Sequence, residues 1–150
     1  MNTQYFIGIA PPTDYLERVV QFQQQWMNFL IVEPHVTLKA QGGLTPDKKW
    51  SENVKNSCKK ISPFELSLAK PEYFGDNILY LSVKSEELYS FHEALVREIW
   101  PSEDLIKQYF ELEDFVPHLT LGKEQFDLSK QELTDMAHLA EMELTPYPSF

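Results

Sequence analysis

The 150-residue chain has a single cysteine, Cys58, so no intrachain disulfide can form and a cysteine-built metal site is excluded. Basic residues are also scarce. Thirteen lysines and arginines stand against 23 acidic residues, a net charge of −10. Broad, sequence-independent binding along a nucleic acid needs a basic stripe, and this balance argues against one. A small local phosphate site is still compatible, because net charge governs solubility and long-range steering rather than one cleft. No apolar run approaches the ~18 residues of a membrane span. The start, Met1-Asn2-Thr3-Gln4, lacks the basic region of a secretory signal. The expectation is a cytoplasmic protein with no membrane partner. The sequence contains no His-Glu-x-x-His, no paired Cys-x-x-Cys and no dense Asp/His cluster, which disfavours a metal hydrolase. It also lacks the nucleophile elbow of a covalent serine hydrolase.

What is present suits one globular domain spanning 1–150. The hydrophobic fraction is 43% and the aromatic fraction 13%, enough for a core. Tyr5 to Ala10 reads as a short strand stopped by Pro11-Pro12. Thr13 or Asp14 then caps a helix with Leu16, Val19, Val20, Met27 and Leu30 near one face and Gln23-Gln24-Gln25 largely elsewhere. Gly42-Gly43 makes a turn, and Thr45-Pro46 is a helix start. That helix has the stripe Trp50, Val54, Cys58 and Ile61, which favours a buried core role for Cys58 over a reactive thiol. Phe64 to Ala69 and Ile78 to Val83 read as a hairpin turned through Pro71 and Gly75-Asp76-Asn77. Ser85 caps a helix faced by Leu88, Phe91, Leu95 and Ile99 and ended by Pro101. Ser102 to Asp114 reads as an acidic, irregular insertion. Ser129-Lys130-Gln131-Glu132 matches a capping box and opens a helix to about Glu141. The end, Thr145 to Phe150, is broken by prolines.

Within this order one stretch recurs. Pro34-His35-Val36-Thr37-Leu38 returns 83 residues later as Pro117-His118-Leu119-Thr120-Leu121. In a strand, side chains at i and i+2 share a face. His35 and Thr37 therefore point one way, as do His118 and Thr120. The surrounding elements repeat as strand, helix, motif strand, helix, which predicts two related α+β halves whose His/Thr faces line one cleft. The paired His-x-Thr-x motifs resemble the two-histidine (2H) phosphoesterase superfamily, and within it the bacterial 2′-5′ RNA ligase-like proteins. The resemblance covers most of the chain, but its specific part is the two motifs and their spacing. It implies a bilobal, pseudo-twofold fold of two small sheets with outer helices and a central cleft. Such proteins usually continue into at least one more strand after the last helix, so a missing or truncated strand is expected here.

The residue chemistry fits phosphodiester cleavage without metal or cofactor. One imidazole takes a proton from the attacking oxygen and the other gives one to the leaving oxygen, and histidine does either near neutral pH. Thr37 and Thr120 hydroxyls then donate to non-bridging phosphate oxygens. The resemblance implies the same roles for His35, Thr37, His118 and Thr120. It implies substrates with 2′-linked phosphate, such as 2′,3′-cyclic phosphates or 2′-5′ linkages in nucleotides or short RNA ends. Which histidine is the base stays open in a pseudosymmetric site. Lys39 shares the parity of His35, so it either adds positive charge for phosphate or is a solvated edge lysine, and Lys123 has the same two readings. Tyr5, Phe74 and Tyr80 stack a base or pack at the rim. His92 and His138 read as structural or surface residues. The rival class is a module that binds a nucleotide or RNA end in the same cleft without turnover.

Overall fold

The computed structural model describes residues 5–27, 33–75, 77–124, 127–144 and 146–147. In chain order the elements are β1 (Ile7–Ile9), α1 (Thr13–Gln24), β2 (Val36–Lys39), α2 (Ser51–Lys59), β3 (Ser67–Phe74), β4 (Ile78–Lys84), α3 (Glu86–Ile99), α4 (Glu103–Gln108), a 3₁₀ turn (Leu112–Asp114), β5 (His118–Lys123) and α5 (Lys130–Glu143). The class is α+β, as expected. The two small sheets are not separate, however. The strands form one five-stranded sheet in the order β1-β2-β5-β4-β3. The cause lies in the motif strands. They pair antiparallel through Val36 and Leu119, so each satisfies backbone groups that would otherwise lie on a sheet edge.

The chain divides into two compact units: Met1–Ile9, Thr37–Glu65 and Ser85–Pro117 in one, Ala10–Val36, Leu66–Lys84 and His118–Phe150 in the other. In the first, α2 packs against α3. Leu88, Leu95 and Val96 are buried along α3, and Phe64 meets Phe91 edge-on at 6.0 Å. Ser85 accepts the Leu88 N–H, the predicted cap. Gly43 has φ +80, and a Cβ there would come within 2.6 Å of Ile99 Cγ2, so this turn requires glycine. Helix α2 begins six residues beyond the expected Thr45 start. The Thr45 hydroxyl instead donates to Asp47, whose carboxylate also accepts the Lys49 N–H. The inner face of α2 runs through Val54 and Ser57, with Ser57 buried, and Ile61 lies beyond the helix end. Cys58 lies about 100° further round the helix and is exposed, not a core residue. The acidic insertion is ordered into α4 and the 3₁₀ turn.

In the second unit, α1 packs on β5, and α5 on β3 and β4. Ser129 and Glu132 form the predicted capping box. No side chain caps α1; its N-cap residue is Pro12, and Thr13 is already helical. Its inner face runs through Tyr15, Val19, Phe22 and Gln23, one step round from the expected face, while Leu30 lies outside the described residues. Strand β3 runs through Pro71 rather than turning there. It is an edge strand, and its register shifts between Leu68 and Pro71. These are the two settings in which a strand tolerates proline. The last described residue, Tyr147, bridges to Leu68.

Candidate functional site

The site begins with two aliphatic residues. Val36 and Leu119 face each other across β2 and β5, and both are fully buried. Directly opposed residues of an antiparallel pair share a face, so this is the core face. The neighbours of Leu119 in β5, His118 and Thr120, therefore point to the other face, and so does His35 beside Val36. Thr37 follows by alternation along β2. All four are half-buried.

The His35 Nδ1 lies 2.9 Å from the Glu33 carbonyl oxygen. A carbonyl can only accept, so Nδ1–H donates, and the lone pair of the neutral ring sits at Nε2. His118 is held differently. Phe74 and Tyr80 stack on one another at 4.2 Å, and both meet the His118 ring edge-on, at 5.0 and 5.5 Å. Such aromatic pairs each contribute on the order of 0.5–1.5 kcal/mol beyond burial. Phe74 and Tyr80 thus fix the orientation of the His118 ring. Burial, aided by the Glu72 carboxylate, pushes the Tyr80 hydroxyl pKa up. Tyr5 belongs to the other unit, against Trp50 at 5.7 Å with Lys48 over its ring.

A bulge in β5 rearranges the end of the second motif. Tyr80 opposes Thr120, but Leu79 opposes Gly122 and Ile78 opposes Lys123. Leu121 is the extra residue. Leu121 and Gly122 both turn to the core face, and there is room for this only because residue 122 is glycine. A Cβ at 122 would come within 2.8 Å of Leu128 Cδ1 and Met136 Sδ. The shift moves Lys123 onto the face of His118 and Thr120. Gln23 of α1 supports the bulge, its amide donating to the Leu121 carbonyl at 3.0 Å. Glycine inside a strand was the available signal for this bulge.

Lys39 corrects a sequence expectation. Parity places it with His35 and Thr37, yet its side chain is fully buried. Its ammonium donates to the carbonyls of Ala40 and Gly42 and to Glu111 Oε1 at 2.8 Å. Burial pushes its pKa down, and the Glu111 carboxylate pulls it back. That charge is engaged inside the fold rather than offered to a phosphate. His92 is buried in the same unit and is indeed structural. Its Nδ1–H donates to the Leu38 carbonyl at 2.7 Å, and its Nε2 accepts the Leu112 N–H at 3.0 Å. His138 is exposed.

Burial pushes the His92 pKa below the ordinary histidine value, with Lys39 reinforcing the shift and Leu38, Glu111 and Glu93 opposing it. The unfolded chain therefore takes up a proton that the native ring refuses, in the window from about 6.5 down to the lowered native value. The stabilisation is complete above that window and is lost as pH falls through it. Urea midpoints measured between pH 7.5 and 5 are expected to fall more steeply for the wild type than for His92→Gln. Equal slopes would contradict this.

No helix among the described residues is long and apolar enough to cross a membrane. Comparison with curated proteins returns no match. The family model described as the 2′-5′ RNA ligase superfamily matches residues 14–147, a span that holds both motifs. The chain therefore belongs to the 2′-5′ RNA ligase superfamily, consistent with its resemblance to the two-histidine phosphoesterases.

Proposed function

We propose that the protein is a metal-independent phosphodiesterase that opens 2′,3′-cyclic phosphates or cleaves 2′-5′ linkages of nucleotides and short RNA ends. The observation that carries this reading is the pairing of Val36 with Leu119, because it turns the histidines of both motifs to one face of the sheet. One imidazole removes the proton of the attacking water as its oxygen bonds to phosphorus, and the other protonates the departing ribose oxygen. The anchored Nδ1 of His35 leaves Nε2 as its proton-exchanging atom. Thr37 and Thr120 donate to the non-bridging oxygens, where negative charge accumulates in the transition state. Lys123, brought to this face by the bulge, adds positive charge. Which histidine is the base follows from the direction in which the substrate lies.

These side chains supply every role the reaction needs, and among the described residues no three His, Cys, Asp or Glu side chains are grouped to hold a metal ion. Turnover is therefore expected to persist in excess chelator. Strict dependence on an added divalent ion would contradict the reading.

Charge favours small substrates. A chain of net charge −10 repels long polyanions beyond about a Debye length. Four acidic residues of the segment 103–114, Glu103, Asp104, Glu113 and Asp114, lie exposed shortly before His118. The test is a panel of 2′,3′-cyclic mononucleotides, 2′-5′ and 3′-5′ dinucleotides and a cyclic-phosphate RNA oligomer, each with wild type and His118→Ala. The expected result is His118-dependent turnover of the cyclic mononucleotides or the 2′-5′ dinucleotide, exceeding that of the oligomer. Preference for the oligomer would overturn the size argument. Binding with no His118-dependent turnover of any member would make the protein a binding module.

A further inference from the structure

Gln23 sits on the buried face of α1, 3% exposed, and its side-chain nitrogen faces two consecutive carbonyls of β5. It donates to the Leu121 carbonyl at 3.0 Å and lies 3.5 Å from the Thr120 carbonyl. In a regular strand consecutive carbonyls point to opposite edges, so one nitrogen comes within reach of both where the strand is bulged. The other end of the same amide is unsatisfied. Among the described residues, Gln23 Oε1 has no hydrogen-bond partner. A buried polar atom left unpaired costs stability, and an apolar side chain would fill the space without that cost. What the amide supplies is a donor at the bulge, where the extra residue is left out of the ladder.

The bulge decides where β5 sends its next side chain. Without the extra residue, alternation would turn Gly122 to the face of His118 and Thr120, and Lys123 to the core face. With it, Lys123 lies on the histidine face, opposite Ile78. Gln23, the bulge, His118 and Lys123 all belong to the second compact unit.

We infer that Gln23 is a positioning residue: its amide holds the β5 bulge and so keeps Lys123 on the face of His118 and Thr120, where the ammonium meets the phosphate of the substrate. This rests on the proposed function and deepens it, because it names a residue outside both motifs on which the phosphate site depends. Gln23 touches no substrate and acts through the strand.

The test separates the donor from the packing. Gln23→Met keeps the length and bulk of the side chain and removes its N–H groups. Lys123→Met removes the charge that the bulge places. Three readouts apply to the full chain: backbone NOEs between Leu79 and Gly122, the affinity for inorganic phosphate read from the NMR signals of the His118 ring, and kcat/KM on a 2′,3′-cyclic nucleotide. In folded Gln23→Met, the Leu79–Gly122 NOEs are expected to weaken, phosphate affinity to fall at least threefold and kcat/KM at least fivefold. In the Lys123→Met background the same substitution is expected to cost less than about twofold in either, since residues that act through one another are not additive. A merely structural role would give the same loss in both backgrounds, and that result would overturn the inference. So would wild-type NOEs and phosphate affinity in folded Gln23→Met. Should Gln23→Met not fold, Gln23→Asn, whose amide falls one methylene short, decides: weakened NOEs with weakened phosphate binding support the inference, and wild-type values for both refute it. If NOEs and phosphate affinity respond as expected but wild type turns over no substrate, Gln23 keeps its role at the bulge and the proposed function falls.

Discussion

Replacing His118 with alanine is expected to lower kcat/KM on a 2′,3′-cyclic nucleotide by at least about a hundredfold, the lower end of what a positioned acid or base contributes. His35→Ala is expected to do the same, and the double variant to lose much less than the product of the two, since the pair acts as a unit. The fold is expected to survive each change. His35 and His118 are half-buried on the face opposite Val36 and Leu119, so they hold little of the core. His118→Ala does vacate the space beside Phe74 and Tyr80, and a loss of ~1–2 kcal/mol from that contact is expected. Near-normal rates in either folded variant, measured under the same conditions as wild type, would remove that histidine from the mechanism.

The largest effect on stability is expected at Lys39. Its ammonium and the Glu111 carboxylate are out of water, at 0% and 1% side-chain exposure. Removing one partner of such a pair leaves the other desolvated and uncompensated, which costs on the order of 3–5 kcal/mol. Lys39→Met is therefore expected to lower unfolding stability by about that amount. Lys39→Met/Glu111→Leu is expected to regain most of it, because two apolar residues need no partner. Urea unfolding of the three chains measures this directly. A cost below about 1 kcal/mol for Lys39→Met would be that of a solvent-screened pair and would contradict the buried geometry.

The contrast between Lys39 and the motif residues shows what a single sequence reveals. The strand alternation of His35, Thr37, His118 and Thr120 was legible because the signal is local: two five-residue runs, identical at four of five positions, whose alternation fixes a face once they are strands. Ser85, Ser129 and Glu132 were legible for the same reason, since a cap reads its own first turn. The fate of Lys39 was not, because it is decided by Glu111, 72 residues away. Parity says which side of the strand a lysine leaves from, not what covers it there. The pairing of β2 with β5 is a long-range event of the same kind, and it turned two expected sheets into one. Gln23 is a third case. It looked like part of a polar run, but it lies on the buried face of α1 and its amide donates to the bulged Leu121 carbonyl. Only the bulge itself left a local trace, the glycine at 122.

Two imidazoles that exchange protons with the attacking and leaving oxygens of one phosphate leave their mark in the pH dependence of kcat/KM on a 2′,3′-cyclic nucleotide in excess chelator. A bell is expected for wild type, with limbs belonging to the histidine pair and falling on either side of neutrality. In the residual activity of His35→Ala and of His118→Ala, one limb is expected to disappear. A flat wild-type profile, or a bell that keeps both limbs in both variants, would contradict it.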